Sequence, residues 1–174
     1  MTERLEIFRS IIAPLERVPM VDLGAGHCRF ALLAHDLGFP VTAIDAREER
    51  VPAYLPFPFV KQDVRNADLS PYGIVGIIGL LYHLTLDDQI ELLNKCRDKT
   101  VIVDTHCTHR AELKLDVYEG LDWIELESPR SSVGNVVSFW HTEPSLIRLF
   151  SNAGFLVKKI LPEHAPNRAF WLLT

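Results

Sequence analysis

The segment Val-Asp-Leu-Gly-Ala-Gly-His-Cys at positions 21–28 places a carboxylate, Asp22, at the end of a short apolar run, with Gly24 and Gly26 just beyond it. Glycine lets the backbone take positive φ and approach a ligand closely. A helix starting directly after such a turn offers unpaired N–H groups and a partial positive charge. A dinucleotide fingerprint would want a third glycine at position 29, where this chain has Arg29, and it would avoid an acid beside a pyrophosphate. A carboxylate at Asp22 suits a ligand that carries an ammonium or a sulfonium. The second acid is Asp45, in Ala-Ile-Asp-Ala-Arg after the next apolar run. There it is placed to accept hydrogen bonds from both hydroxyls of a ribose. The third is Asp63, in Lys-Gln-Asp-Val. If the chain turns at a sheet edge there, Asp63 takes an adenine amino group while Ala46 and Val64 sandwich the ring. Packing alone does not explain an acid and two turn glycines at 22–26. Asp45 has an alternative reading as a helix cap, and Asp63 by itself would be a surface turn acid.

These residues need a scaffold, and the chain supplies one. Leu5, Phe8, Ile11 and Ile12 recur at helical spacing, which predicts a helix over residues 3–13. Met20 to Leu23 reads as a strand, 28–37 as a helix stopped by Gly38, and Val41 to Ile44 as a second strand. A short helix follows Asp45 until Pro52, and Phe57 to Val60 is extended between prolines. Ile74 to Ile78 is the most apolar strand, 86–97 a helix, and Val101 to Asp104 a β-branched strand. Alternating strands and helices predict a parallel sheet covered on both faces, and nearly all-apolar central strands agree with burial on both sides. The alternation breaks over 106–142, which is mixed and polar. It resumes with a helix at 144–153 that opens on Pro144 and ends at Gly154. Two closing strands, Phe155 to Leu161 and Ala169 to Leu172, follow it.

Bulk properties narrow the function. The 174 residues suit one domain with a modest insertion, and 48% hydrophobic against 24% charged is a soluble, globular balance. A net charge of −5 argues against a broad nucleic-acid surface. Cys28, Cys96 and Cys107 form no disulfide framework, which points to a reducing compartment such as the cytoplasm. No apolar run has the length to span a bilayer and no signal-peptide core opens the chain.

Taken together, the Asp22-Gly24-Gly26 turn, Asp45 and Asp63 resemble a class I, Rossmann-like, S-adenosylmethionine-dependent methyltransferase. The likeness extends to Gly-Ile-Val-Gly-Ile-Ile-Gly-Leu-Leu-Tyr-His-Leu at 73–84, which is similar to the family's fourth-strand segment, and to Ser-Leu-Ile-Arg-Leu-Phe-Ser-Asn-Ala-Gly-Phe at 145–155, the helix before its final strands. It leaves out 106–142. The family's third glycine falls at Cys28 here, and Gly73 stands where an acid is common. The resemblance implies a doubly wound, mostly parallel seven-stranded α/β sheet with helices on both faces and an antiparallel C-terminal strand. It assigns Asp22, Gly24 and Gly26 to the methionine portion of S-adenosylmethionine, Asp45 to the ribose and Asp63 to the adenine, with Gly79 and Leu80 lining the cleft. The expected reaction is methyl transfer to an O or N atom of a small-molecule acceptor, the segment at 106–142 serving as a lid or substrate wall. An RNA- or tRNA-modifying enzyme and a non-catalytic cofactor-binding module are the alternatives. A nicotinamide oxidoreductase is disfavoured by Arg29 and Asp22.

A sulfonium methyl is already activated, so in-line approach and exclusion of water do most of the work, and a base helps where the acceptor must lose a proton. Histidine suits that task. His106 and His141, with Tyr82 as a pocket-lining or hydrogen-bonding partner, are the candidates for substrate contact, because both histidines belong to the segment expected to cover the site. His83 reads instead as a structural imidazole, Phe139 and Trp140 as core aromatics, and His27 and His35 as ordinary helix residues. His-Cys-Thr-His at 106–109 carries soft donors that would suit zinc. It has no second ligand pair at zinc spacing, so no metal is assigned.

Overall fold

The computed structural model describes residues 3–126 and 131–174. Helix α1 (Glu3–Ile12) turns Phe8, Ile11 and Ile12 inward. Strand β1 (Met20–Leu23), helix α2 (Arg29–Asp36) and strand β2 (Val41–Asp45) then form the first crossover unit. Strand β3 (Phe59–Lys61), strand β4 (Ile74–Ile78), helix α3 (Leu86–Lys95) and strand β5 (Thr100–His106) extend it. Helix α4 (Glu143–Asn152) comes after the segment in which the alternation breaks.

Numbering in chain order, that segment holds β6 (Leu113–Leu115), β7 (Tyr118–Ile124) and β8 (Val137–His141), and the chain closes with β9 (Val157–Ala165) and β10 (Arg168–Leu173). The main sheet has the order β3-β2-β1-β4-β5-β10-β9. Strands β1 to β5 are parallel to one another, while β10 is antiparallel to both β5 and β9. Six strands therefore share one direction and β10 alone is reversed, as the antiparallel C-terminal strand was expected to be.

The pleat divides the core in two. Val21, Leu23, Val75, Ile77, Val101 and Val103 face α3 and α4, meeting Leu92, Leu93, Leu149 and Phe150. Their alternates Met20, Ala43, Ile74, Ile78, Ile102 and Phe170 face α1 and α2, meeting Phe8, Ile12, Ala31 and Ala34. Period-two alternation thus fills both layers from one set of strands.

The structure departs from the sequence reading at three places. No helix follows Asp45: residues 46–58 are irregular, with a single turn closed by Val51 N–H on the Glu48 carbonyl at 3.0 Å. Pro52, Pro56 and Pro58 lack the amide protons a helix would need. Strand β3 starts at Phe59 rather than Phe57, and Pro58 contributes only its carbonyl, to Ala43 N–H at 3.0 Å. The segment 106–142 is not featureless, since β6, β7 and β8 make a separate antiparallel sheet. It is docked by buried polar contacts. Gln89 donates to the Leu84 carbonyl at 3.1 Å and the Phe139 carbonyl at 2.8 Å, and Phe139 N–H reaches Leu84 at 3.0 Å.

Gly120, in β7, sets how closely β8 can approach. A Cβ there would stand 2.1 Å from the Trp140 carbonyl oxygen and 2.9 Å from Phe139. Backbone cannot yield as a side chain can, so Gly120→Ala is expected to destabilise the protein by about 1–3 kcal/mol. Denaturant unfolding of the two proteins measures this.

Candidate functional site

The C-terminal ends of β1, β2 and β4 open onto a cleft of about 560 Å³. This is where open α/β sheets bind ligands. Gly24, Gly26, Asp45, Ala46, Asp63, Val64, Gly79, Leu80 and Tyr82 all line it. Gly24 (φ +68°), Gly26 (φ +53°) and Gly79 (φ +77°) take the left-handed backbone. A Cβ at Gly24 would press on Leu80 at 3.0 Å, and one at Gly79 on the Arg168 guanidinium at 3.0 Å. The turn is held from the neighbouring strand: Gly24 N–H bonds the Ile44 carbonyl at 2.8 Å and Gly26 N–H bonds Asp45 Oδ2 at 2.8 Å. Cys28, at the position of the missing third glycine, itself sits in the left-handed region at φ 55° and starts α2. The turn geometry therefore survives the substitution.

Asp45 Oδ1 accepts Arg47 N–H at 2.9 Å, so each carboxylate oxygen has one backbone donor and room for another. Asp63 caps the 3₁₀ turn Val64–Asn66, accepting Arg65 N–H at 3.0 Å. Its carboxylate is also gripped by the Arg65 guanidinium, with Nη2 to Oδ2 at 2.6 Å. That hydrogen bond holds the Asp63 carboxyl below its ordinary range and raises Arg65.

Three residues assigned to the site by sequence do not line the cleft. Asp22 is 1% exposed, beneath the turn, and among the described residues its Oδ2 has no hydrogen-bond partner. Burial, opposed by an amide bond from Ala31 and reinforced by the Asp45 charge, pushes its carboxyl up to about 7. His141 is 2% exposed, with Nδ1 against Ser145 Oγ at 2.8 Å, because β8 pairs into the small sheet and turns this ring toward α4. His106 is set back behind Tyr82 and stacks on Trp140 at 5.3 Å. Burial and the Arg168 charge hold it down at about 4, and burial holds His141 at about 3, so both rings are neutral near pH 7.

The cleft also has residues that the sequence reading did not single out. Asp104, fully buried at the end of β5, receives Arg168 Nη2 at 2.7 Å and Nε at 3.0 Å together with the guanidinium of Arg4. His164 Nε2 lies 3.2 Å from Oδ1 without hydrogen-bond alignment. Burial alone would raise this carboxyl; His164 and the two guanidiniums override it and hold it well below the usual carboxylate range. Arg4 and Arg168 lie 100 and 64 positions from Asp104 in the chain. An acid inside a β-branched strand is the one signal that a cation had to come to it. Arg47 and Arg65 reach the far rim, Arg47 donating to the Ser131 carbonyl at 2.7 Å and Arg65 to the Val133 carbonyl. His83, named from the sequence as a structural imidazole, lines the cleft as well. Among the described residues no group of three or more His, Cys, Asp or Glu is placed to hold a metal ion.

The N-terminal domain of EvdMO1, crystallised with S-adenosylhomocysteine and D-fucose, superposes with a TM-score of 0.74 at 20% identity, over 98% of this chain and 80% of that one. The 1,6-didemethyltoxoflavin-N1-methyltransferase of Burkholderia thailandensis, solved with its namesake and S-adenosylhomocysteine, gives 0.67 at 17% identity, over 97% and 74%. The glycopeptide N-methyltransferase MtfA with S-adenosylmethionine gives 0.66 at 16% identity, over 98% and 92%. This chain has the class I, Rossmann-like methyltransferase fold. No protein-family model and no curated protein matches the sequence. At these identities the likeness lies in the path of the methyltransferase fold, not in shared side chains.

The buried carboxyl of Asp22 makes a thermodynamic prediction. Its folded-state pKa is raised above the unfolded value, so its cost to stability is absent at low pH and grows as pH rises through about 7. Asp22→Asn removes that dependence. From about pH 5 to about pH 8, its stability relative to the parent is expected to improve by on the order of 2–3 kcal/mol. Denaturant unfolding of both proteins across that range tests it.

Proposed function

We propose that this protein is a methyltransferase that binds S-adenosylmethionine in the cleft described above and transfers its methyl group to an O or N atom of a small-molecule acceptor. The observation that carries the reading is the Asp45 carboxylate, set at the end of β2 and bonded to the Gly26 amide at 2.8 Å. It puts a ribose acceptor and a close-approach glycine turn on one cleft of this fold. When bound, the cofactor supplies a methyl group already activated on a sulfonium.

The residues present fit it. The free lone pairs of Asp45 accept two ribose hydroxyls. Ala46 and Val64 flank the place of the adenine, whose amino group shares the Asp63 carboxylate with Arg65. Gly24, Gly26 and Gly79 leave the space that Cβ atoms would close, and Leu80 walls it. Asp22 acts on this portion only through the turn above it, as its burial requires. Tyr82 stands at the inner wall, where it can bond an acceptor oxygen.

The inserted segment, about 106–142, reads as a lid on a single methyltransferase domain. Its carbonyls at Ser131 and Val133 are tied to Arg47 and Arg65, the residues two beyond Asp45 and Asp63. Covering the cofactor in this way excludes water, which favours transfer to the acceptor over hydrolysis. A small organic acceptor fits beside Tyr82, which lines the cleft and packs edge-on against Trp140 at 5.5 Å, Trp140 in turn stacking on Trp123 at 4.5 Å. Cys28, Cys96 and Cys107 are free thiols, each pushed up to between about 11 and 12, chiefly by burial. That suits a protein of the cytoplasm. Among the described residues no helix is long and apolar enough to cross a membrane.

Asp45→Ala is expected to weaken S-adenosylhomocysteine binding at least a hundredfold, since hydrogen bonds to a charged acceptor contribute about 1.5–3 kcal/mol each. Titration calorimetry on the folded parent and variant measures it. Equal affinity in the two would remove the ribose assignment, and no binding by the parent would remove the cofactor.

A further inference from the structure

His83 stands four residues beyond Gly79, in the 3₁₀ turn Leu81–His83 that follows β4, and it lines the cleft with its side chain 22% exposed. Its Nδ1 lies 2.9 Å from Glu125 Oε1. Glu125 comes from the inserted segment, just past β7, and its side chain is 4% exposed. The same carboxylate accepts Ser138 Oγ at 2.8 Å on Oε1 and Ser132 N–H at 3.1 Å on Oε2. The backbone at His83 is tied to the same segment, since Asn135 Nδ2 donates to the His83 carbonyl at 3.3 Å and to the Val137 carbonyl at 2.7 Å.

A carboxylate only accepts hydrogen bonds, so a neutral imidazole facing it must carry its proton on Nδ1. Nε2 then keeps its lone pair, and among the described residues it has no hydrogen-bond partner. An imidazole oriented through one nitrogen by a buried carboxylate, with the other nitrogen basic on a ligand cleft, is the arrangement of a general base.

We infer that His83 accepts the proton released by the methyl acceptor, and that Glu125 positions it by holding the Nδ1–H tautomer. The inference rests on the methyltransferase reading of the same cleft. In the step, the acceptor O–H or N–H gives its proton to His83 Nε2. The acceptor lone pair forms the bond to the methyl carbon while the methyl–sulfur bond breaks, its electron pair staying on sulfur as a neutral thioether. The resulting imidazolium faces the Glu125 carboxylate and later returns the proton to solvent. The acceptor class is therefore a hydroxyl or a protonated amine, a group with a proton to lose. Glu125, Ser132 and Ser138 all belong to the inserted segment, so the base is complete only when that segment is seated on the cleft.

The test is imidazole nitrogen-15 spectroscopy of the full chain saturated with S-adenosylhomocysteine, at alkaline pH. Parent protein is expected to show His83 as the Nδ1–H tautomer, and Glu125→Ala, which leaves no acceptor opposite Nδ1, is expected to shift it toward Nε2–H. Parent His83 in the Nε2–H form, or an unchanged tautomer in Glu125→Ala, overturns the proposal. Methyl transfer from labelled S-adenosylmethionine to a panel of phenols, sugars and amines gives the second readout. His83→Gln is expected to lower kcat by about 10²–10⁴-fold, with S-adenosylhomocysteine affinity within twofold of parent and partial rescue by added imidazole. Loss of cofactor affinity and thermal stability together, without rescue, would make His83 structural. Failure of the parent to bind S-adenosylhomocysteine would instead sink the methyltransferase reading and this inference with it, whereas binding with the wrong tautomer sinks this inference alone.

Discussion

The bond from Gly26 N–H to the Asp45 carboxylate ties the turn after β1 to the end of β2 at the mouth of the cleft. The turn after β1 has positive φ at Gly24, Gly26 and Cys28 and is closed within itself by Cys28 N–H on the Ala25 carbonyl at 2.7 Å. It is held from β2, by the Ile44 carbonyl taking two amides, Gly24 and Ala25, and by Asp45 taking a third. The acid proposed for the ribose is thus also the anchor of the glycine turn beside it. A change in its position would move both halves of the site together.

A second anchor closes the other end of the cleft. Asp104 draws Arg4 from the first helix and Arg168 from the last strand onto β5. Burying one carboxylate among two guanidiniums avoids an unpaired buried charge, which would cost several kcal/mol. It leaves net positive charge beside Gly79, whose missing side chain makes room for Arg168. The antiparallel strand β10 serves this arrangement: its first residue, Arg168, pairs in register with His106 at the end of β5. A parallel strand there would enter from the opposite edge and carry its first residue away from the cleft.

Much of this was readable from residue order. Strand-ending acids and turn glycines sit within a few residues of each other, so Asp45, Gly24 and Gly26 announced themselves, and nearly all-apolar runs alternating with helices announced the sheet. What could not be read was anything made by distant partners. Arg4, Asp104 and Arg168 share no local pattern, and neither do His83 and Glu125, which are 42 residues apart. The small sheet was hidden for a related reason. Its strands are short and half exposed, and they pair only because Gly120 and the Gln89 side chain admit and dock them. Asp22 shows the opposite error, a residue whose type and place were legible but whose side chain turns under the turn rather than into the cleft.

The histidines make the same argument about chemistry. Membership of the segment expected to cover the site recommended His106 and His141, yet neither ring is open to the cleft: Arg168 donates to His106 Nε2 at 3.0 Å, and His141 is buried with Ser145 on one nitrogen. A base needs one nitrogen held and the other open to the ligand, and a strand position specifies neither. The 3₁₀ turn after β4 does, because it leaves the sheet early enough to present His83 to the cleft while its other nitrogen remains within reach of the inserted segment. Whichever elements enclose an imidazole, and not the strand edge it follows, decide whether it can move a proton.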